Sequence, residues 1–73
     1  IQQAAHNHLS PLNINFRYLT PELVRLAHLR AIQVWAWTVD DPDDMHRLIH
    51  MGVDAIYTNF PKRLQDALDE IHP

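Results

Sequence analysis

The chain contains no cysteine. No disulfide can brace it, and no thiolate can bind a metal or attack a substrate. The missing cysteine leaves the cellular compartment open. Positive charge is also scarce: six Lys and Arg stand against nine Asp and Glu, for a formal net charge of -3. A nucleic-acid partner asks for a basic face to meet its phosphates, so this balance argues against one. Long apolar runs are missing too. The longest, Ala31 to Val39, is interrupted by Gln33 and Thr38, far short of the roughly 20 residues of a membrane span. No basic segment leads into an apolar one, so no signal peptide is visible. The sequence opens Ile1-Gln2-Gln3 and not with Met, and the expectation is a segment of a longer polypeptide.

The length points the same way. A chain of 73 residues is about half of a common domain. At this size folding buries only about 60% of the surface that the unfolded chain exposes. The margin of stability is therefore expected to be thin.

What is present alternates between two periodicities. Residues 1 to 13 are polar and end near Ser10-Pro11, and read as an approach loop with a weak helical turn at Gln2 to His6. Asn13-Ile14-Asn15-Phe16 alternates polar and apolar, as a short strand or an extended connection would. Thr20-Pro21-Glu22 is a helix start, with a capping hydroxyl, a proline at the first position and an acid against the positive end of the dipole. Leu23, Leu26, Ala27 and Arg30 follow at helical spacing, broadened by Val24 and Leu29, and the helix is expected to end near Arg30. Ile32 to Val39 is β-branched and aromatic, apolar on both faces, and reads as a buried strand. Asp41-Pro42 opens a second helix with Met45, Leu48 and Ile49 inward, and Gly52 closes it in the left-handed region. Val53 to Thr58 is a second strand. Asn59-Phe60-Pro61 begins a third helix with Leu64, Ala67, Leu68 and Ile71 inward.

Helices and strands thus alternate, and the helix-strand unit repeats: Pro21 answers Pro42, and the Ala31-Ile32 corner answers Gly52-Val53. Strands separated by helices imply a parallel α/β sheet. Two or three such strands leave edges unprotected. The chain is therefore expected to associate, either with itself or with the remainder of a larger sheet.

Two segments resemble a known family. Trp37-Thr38-Val39-Asp40 after an apolar strand resembles the Trp-Thr-Val-Asn/Asp signature near the end of glycerophosphodiester phosphodiesterases. Gly52-Val53-Asp54-Ala55-Ile56-Tyr57-Thr58-Asn59-Phe60-Pro61 is similar to that family's Gly-Val-Asp-Gly-Ile-x-Thr-Asp-x-Pro segment. Upstream, Leu19-Thr20-Pro21-Glu22-Leu23-Val24, followed by Ala27-His28, resembles the helix before the tryptophan strand. The resemblance runs roughly from residue 9 to residue 68. It implies that residues 1–73 are the C-terminal part of a (β/α)8 TIM barrel of about 250 residues. It also implies hydrolysis of glycerophosphodiesters to glycerol 3-phosphate and an alcohol, with a divalent cation, Ca2+ or Mg2+. Two acid-base histidines and the metal-binding carboxylates would lie in the N-terminal half. No catalytic residue and no metal ligand is then expected in this chain, which alone is expected to be inactive. The sequence departs from the pattern at Ala31 and Ala55, where glycine is usual, and at Asn59, where aspartate is usual. If the corner at Ala31 needs positive φ, the alanine costs about 1 kcal/mol.

Against that frame Trp37 is the substrate-binding candidate. It shares a strand face with Trp35 and Val39, and at the C-terminal end of a barrel strand it would line the cleft. Trp35, one layer deeper, reads as core. Asp40 and the rim residues Thr58 and Asn59 are candidates for ligand contacts, with Asn59 also able to cap a helix. Lys62 and Arg63, at a helix start, could attract phosphate but read more readily as solvated charges. Asp41, Asp43 and Asp44 suit a helix N-terminus better than a cation. Asp54 reads as structural, bonded to backbone or to a neighbouring strand. His46 and His50 are spaced i, i+4 and could meet, but Arg47 stands where a zinc-protease motif has Glu, so they read as a solvated pair. His28 lies near a helix end, where the dipole mildly favours a cation, and His6 and His8 lie in the polar leader. An alternative reading of the whole is a non-catalytic interaction or regulatory module derived from such a barrel.

Overall fold

The computed structural model describes residues 10–71. The expected turn at Gln2 to His6, and with it His6 and His8, lies outside the described residues. Three strands, β1 (Leu12–Asn15), β2 (Val34–Trp37) and β3 (Ala55–Ile56), alternate with three helices, α1 (Pro21–Leu29), α2 (Pro42–Met51) and α3 (Pro61–Ile71). A single turn of 3-10 helix, Phe16–Tyr18, links β1 to α1. The sheet order is β1-β2-β3 and both pairings are parallel. The ambiguous Asn13-Ile14-Asn15 segment is therefore a strand, paired Leu12 to Val34 through Asn15 to Trp37.

Both strands after β1 are shorter than their hydrophobic runs. Pairing continues past their ends as single bonds: Asp54 N donates to Val34 O, Tyr57 N to Ala36 O, and Val39 N to Tyr57 O. Beyond Trp37 the backbone leaves the regular pleat, and this moves Val39. Strict alternation would place Val39 beside the tryptophans. It is instead fully buried in the helix-facing core with Val34, Ala36, Val24, Met45 and Leu48. The expectation that β2 is covered on both faces is corrected as well. Its helix side is sealed, while Trp37 on the other side remains 38% exposed.

The helix ends follow local chemistry. Thr20 Oγ1 accepts from Leu23 N at 3.1 Å, and Asp41 Oδ1 accepts from Asp43 N at 2.7 Å, each followed by proline at the first position. These are the capping bonds that unsatisfied N-terminal N–H groups require. α1 and α2 also end alike. Ile32 N donates to Ala27 O and Ala31 N to His28 O; Val53 N donates to Leu48 O and Gly52 N to Ile49 O. This paired arrangement needs a left-handed residue just past the helix end. Gly52 supplies it at φ 94°, and Ala31 at φ 60°. Ala31 is thus held where a Cβ is unfavourable by about 1 kcal/mol. Ala31→Gly is expected to raise stability by about 0.5 kcal/mol or more, the relief of strain exceeding the added unfolded-state freedom. A thermal melt that shows no gain, or a loss, would contradict this.

One helix face differs from its sequence reading. α1 buries Val24 and Ala27 and partly buries Leu23, whereas Leu26 and Leu29 are 46% and 73% exposed. The apolar stripe of α1 is wider than the surface it covers. α3 buries Ala67 and leans Leu64 against the core, while Leu68 is half-buried.

Candidate active-site wall

The two sheet faces differ sharply. Leu12, Ile14, Val34, Ala36 and Ile56 belong to the helix-facing core. Alternation then puts Asn13, Asn15, Trp35, Trp37, Ala55 and Tyr57 on the other face. Among the described residues no element covers that face. Trp35 is half-buried there and meets Tyr57 edge-on, with ring centroids 6.0 Å apart. Its Nε1 donates to Gln33 Oε1 at 3.0 Å. The reading of Trp35 as core is thus corrected: it lies half-buried on the uncovered face, outside the helix-facing core, because its side of the strand has no layer packed on it here, while Trp37 stands open at the C-terminal end of β2.

At that end, the loops following β2 and β3 are joined by one carboxylate. Asp40 Oδ1 accepts from Thr58 Oγ1 at 3.1 Å and from Asn59 N at 2.9 Å, and Oδ2 accepts from Asn59 Nδ2 at 3.2 Å. Arg63 Nη1 donates to the Asp40 carbonyl at 3.1 Å. The Asn59 N–H, foremost, with the Asn59 amide, the Thr58 hydroxyl and the Arg63 charge, holds the Asp40 carboxyl below the ordinary 3.8 of an aspartate. Hydrogen bonds to the ionised form act in that direction. Asp40, Thr58 and Asn59 are therefore tied to one another across the rim. Asn59 does not cap α3. Its side chain turns to Asp40, and Thr58 Oγ1 accepts from Phe60 N instead.

The two cations at the start of α3 are likewise engaged. Lys62 Nζ pairs with Asp66 Oδ1 at 2.9 Å, which raises the lysine pKa above its ordinary value. The Arg63 guanidinium lies 3.9 Å from the centroid of the Phe60 ring. The phosphate-attracting role considered for this pair finds no free pair of charges here.

The opposite end of the sheet has a second carboxylate tie. Asp54 Oδ2 accepts from Val34 N at 2.7 Å, and His28 Nε2 lies 2.8 Å from the same oxygen. An ionised carboxylate only accepts, so Nε2 carries the hydrogen in this contact. Asp54 thus fastens the entry of β3 to the entry of β2 and the end of α1. The histidine contact is the part of this arrangement that spacing did not reveal, because residues 28 and 54 are far apart in the chain.

His46 and His50 do not meet. His50 Nδ1 lies 2.8 Å from the His46 carbonyl oxygen, within the helix. His46 reaches across to α3, its Nε2 2.8 Å from Glu70 Oε1. That approach lacks hydrogen-bond alignment and leaves a buried Nε2 without an aligned partner. The reading of a solvated pair is corrected for His46, which sits in the α2–α3 interface. Among the described residues, no three His, Asp or Glu side chains converge on a point where a cation could sit. With Asp40 already accepting three hydrogen bonds, these residues do not fit the divalent cation that the resemblance implies.

The glycerophosphoryl diester phosphodiesterase family profile matches residues 2–63. This chain belongs to that family. A glycerophosphodiester phosphodiesterase of Arabidopsis thaliana is 46% identical over 50 residues, which are 68% of this chain and 15% of that protein. A Mycobacterium tuberculosis protein named as a probable glycerophosphodiester phosphodiesterase is 50% identical over 50 residues, 68% of this chain and 19% of its own length. A solved structure from Silicibacter pomeroyi, assigned to the glycerophosphoryl diester phosphodiesterases, superposes with TM-score 0.84 at 37% identity. The match covers 97% of this chain and 24% of that one. An Oleispira antarctica phosphodiesterase solved with the product sn-glycerol-3-phosphate shares the fold, with TM-score 0.79 at 24% identity over 93% of this chain and 28% of that one. The chain thus spans less than a third of the length of each. Its parallel sheet with helices on one face is the architecture of a TIM-barrel segment, and its uncovered face is the side that a closed barrel of this family turns inward.

Proposed function

We propose that this chain is the C-terminal part of a glycerophosphodiester phosphodiesterase barrel, which hydrolyses glycerophosphodiesters to glycerol 3-phosphate and an alcohol. The observation that carries this reading is the open indole of Trp37 at the C-terminal end of a parallel strand, in a chain of this family. Active sites of TIM barrels lie at that end. Trp37 supplies an apolar plate against the glycerol or alcohol part of the substrate. Asp40, Thr58 and Asn59 hold the neighbouring loops in place. The Oleispira antarctica structure, which holds sn-glycerol-3-phosphate, supports the substrate class.

The acid-base groups and the ligands of a divalent cation, Ca2+ or Mg2+, come from the rest of the barrel. When bound, that cation would neutralise charge on the phosphodiester. The isolated chain is inactive, and its natural partner is the remainder of the barrel. The test is hydrolysis of glycerophosphocholine, with Mg2+ and with Ca2+, by the isolated chain and by the polypeptide that carries it. Release of glycerol 3-phosphate by the longer protein alone is the expected result. Inactivity of both would overturn the enzymatic reading in favour of an interaction module. Activity of the isolated chain would overturn the assignment of the catalytic groups to other strands.

A further inference from the structure

A polar residue beside Trp37 carries an inference that deepens the proposed function and rests on it. Asn15 ends β1, and its register partner on β2 is Trp37. Leu12 and Ile14 pack on the core, so Asn13 and Asn15 occupy the tryptophan face. Asn13 is level with Trp35, deeper in the sheet, whereas Asn15 is level with Trp37 at the rim. Adjacent strands lie about 4.8 Å apart, so the amide and the indole are immediate neighbours.

The amide cannot turn over freely. Asn15 Oδ1 accepts from Arg17 N at 3.0 Å and caps the 3-10 turn. A backbone N–H only donates, so the oxygen must face it, and the NH2 group is the end left over. Among the described residues this NH2 has no hydrogen-bond partner, although Asn15 is half-buried. Its Nδ2 is not among the buried atoms that lack a partner, so it stands accessible on the tryptophan face, free to donate to a ligand there. A group that presents only donors matches an atom that only accepts. In a phosphodiester the non-bridging oxygens are such atoms, and their charge makes the bond stronger than a neutral one.

We propose that Asn15 is a substrate-binding residue whose NH2 donates to a non-bridging oxygen of the phosphodiester beside Trp37. β1 is then a working part of the site, and not only an edge that supports β2.

Asn15→Asp in the full barrel isolates this role. Aspartate keeps the shape and the acceptor for Arg17 N, but replaces the donor with a second carboxylate oxygen that repels phosphate. The expected result is a rise of about tenfold or more in KM for glycerophosphocholine, from loss of a charge-assisted hydrogen bond. kcat should stay within about threefold of wild type, and the melting temperature within about 3 °C. Inhibition by glycerol 3-phosphate should weaken by a similar factor. Asn15→Ala, which removes cap and donor together but adds no charge, should show a smaller but clear rise in KM, about threefold or more, with a lower melting temperature. An active wild type whose Asn15→Asp variant keeps KM within about twofold would overturn the assignment and leave the proposed function standing. That outcome covers a carboxylate accepting from a glycerol hydroxyl. A variant whose kcat and melting temperature fall together would assign Asn15 to the turn alone. A wild type inactive on glycerophosphodiesters would overturn the proposed function itself, and Asn15 with it.

Discussion

Trp37→Ala in the barrel that carries this chain is expected to lower kcat/KM for a glycerophosphodiester by about a hundredfold while leaving the fold intact. The indole is 38% exposed, on a face that the helices do not touch, so its removal opens no cavity in the Val34–Ala36–Met45–Leu48 core. Its worth lies in contact with substrate. An apolar contact of about 100 Å² is worth about 2.5 kcal/mol at roughly 25 cal/mol per Å², and each 1.36 kcal/mol is tenfold in rate. Trp37→Phe keeps a smaller plate in the same place and should recover most of the loss. Steady-state kinetics and a thermal melt on the same samples decide the matter. If Trp37→Ala keeps kcat/KM within about threefold, the indole is not part of the cleft. If activity falls only as far as the melting curve explains, Trp37 belongs to the packing of the barrel and not to its site.

Much of this arrangement was legible in the sequence because local chemistry dictates it. Thr20-Pro21 and Asp41-Pro42 start helices by satisfying free N–H groups, and both do so here. Gly52 marked a left-handed corner, and the repeat carried that corner to Ala31, whose φ is 60°. Trp35 and Trp37 share a face because the pleat has period two. The less legible features depend on contacts across the fold. The place of Val39 turned on where the strand stops, and a hydrophobic run does not record its own end. The exposed Leu26 and Leu29 show a helix whose apolar stripe exceeds its covered face. The link of Asp40 to Thr58 and Asn59, and of His28 to Asp54, joins residues from different units of the repeat. Asn15 was overlooked because a lone asparagine at a strand end is indistinguishable from a turn residue. Its register opposite Trp37 is what sets it apart.

The same distinction between apolar sequence and buried surface predicts the largest change in stability. Leu48→Ala is expected to destabilise the chain by about 3 kcal/mol, within the 2–5 kcal/mol common for leucines in cores. Leu48 has no exposed surface and sits on α2 among Val24, Val34, Val39 and Met45. Its carbonyl also accepts the Gly52 and Val53 N–H groups that close α2, so a cavity there loosens the entry to β3. For a chain of 73 residues the whole stability is roughly 4–11 kcal/mol, and a loss of this size removes much of it. Leu29→Ala makes the comparison sharp. Leu29 is 73% exposed on α1, and its truncation should change stability by no more than about 0.5 kcal/mol. Both variants are measured by urea unfolding followed through helical circular dichroism. A loss below about 1 kcal/mol for Leu48→Ala, or equal losses for the two leucines, would mean that the α2 core does not hold this segment together. The expected asymmetry would show that α2, through Leu48, anchors the sheet on which Trp37 and Asn15 stand.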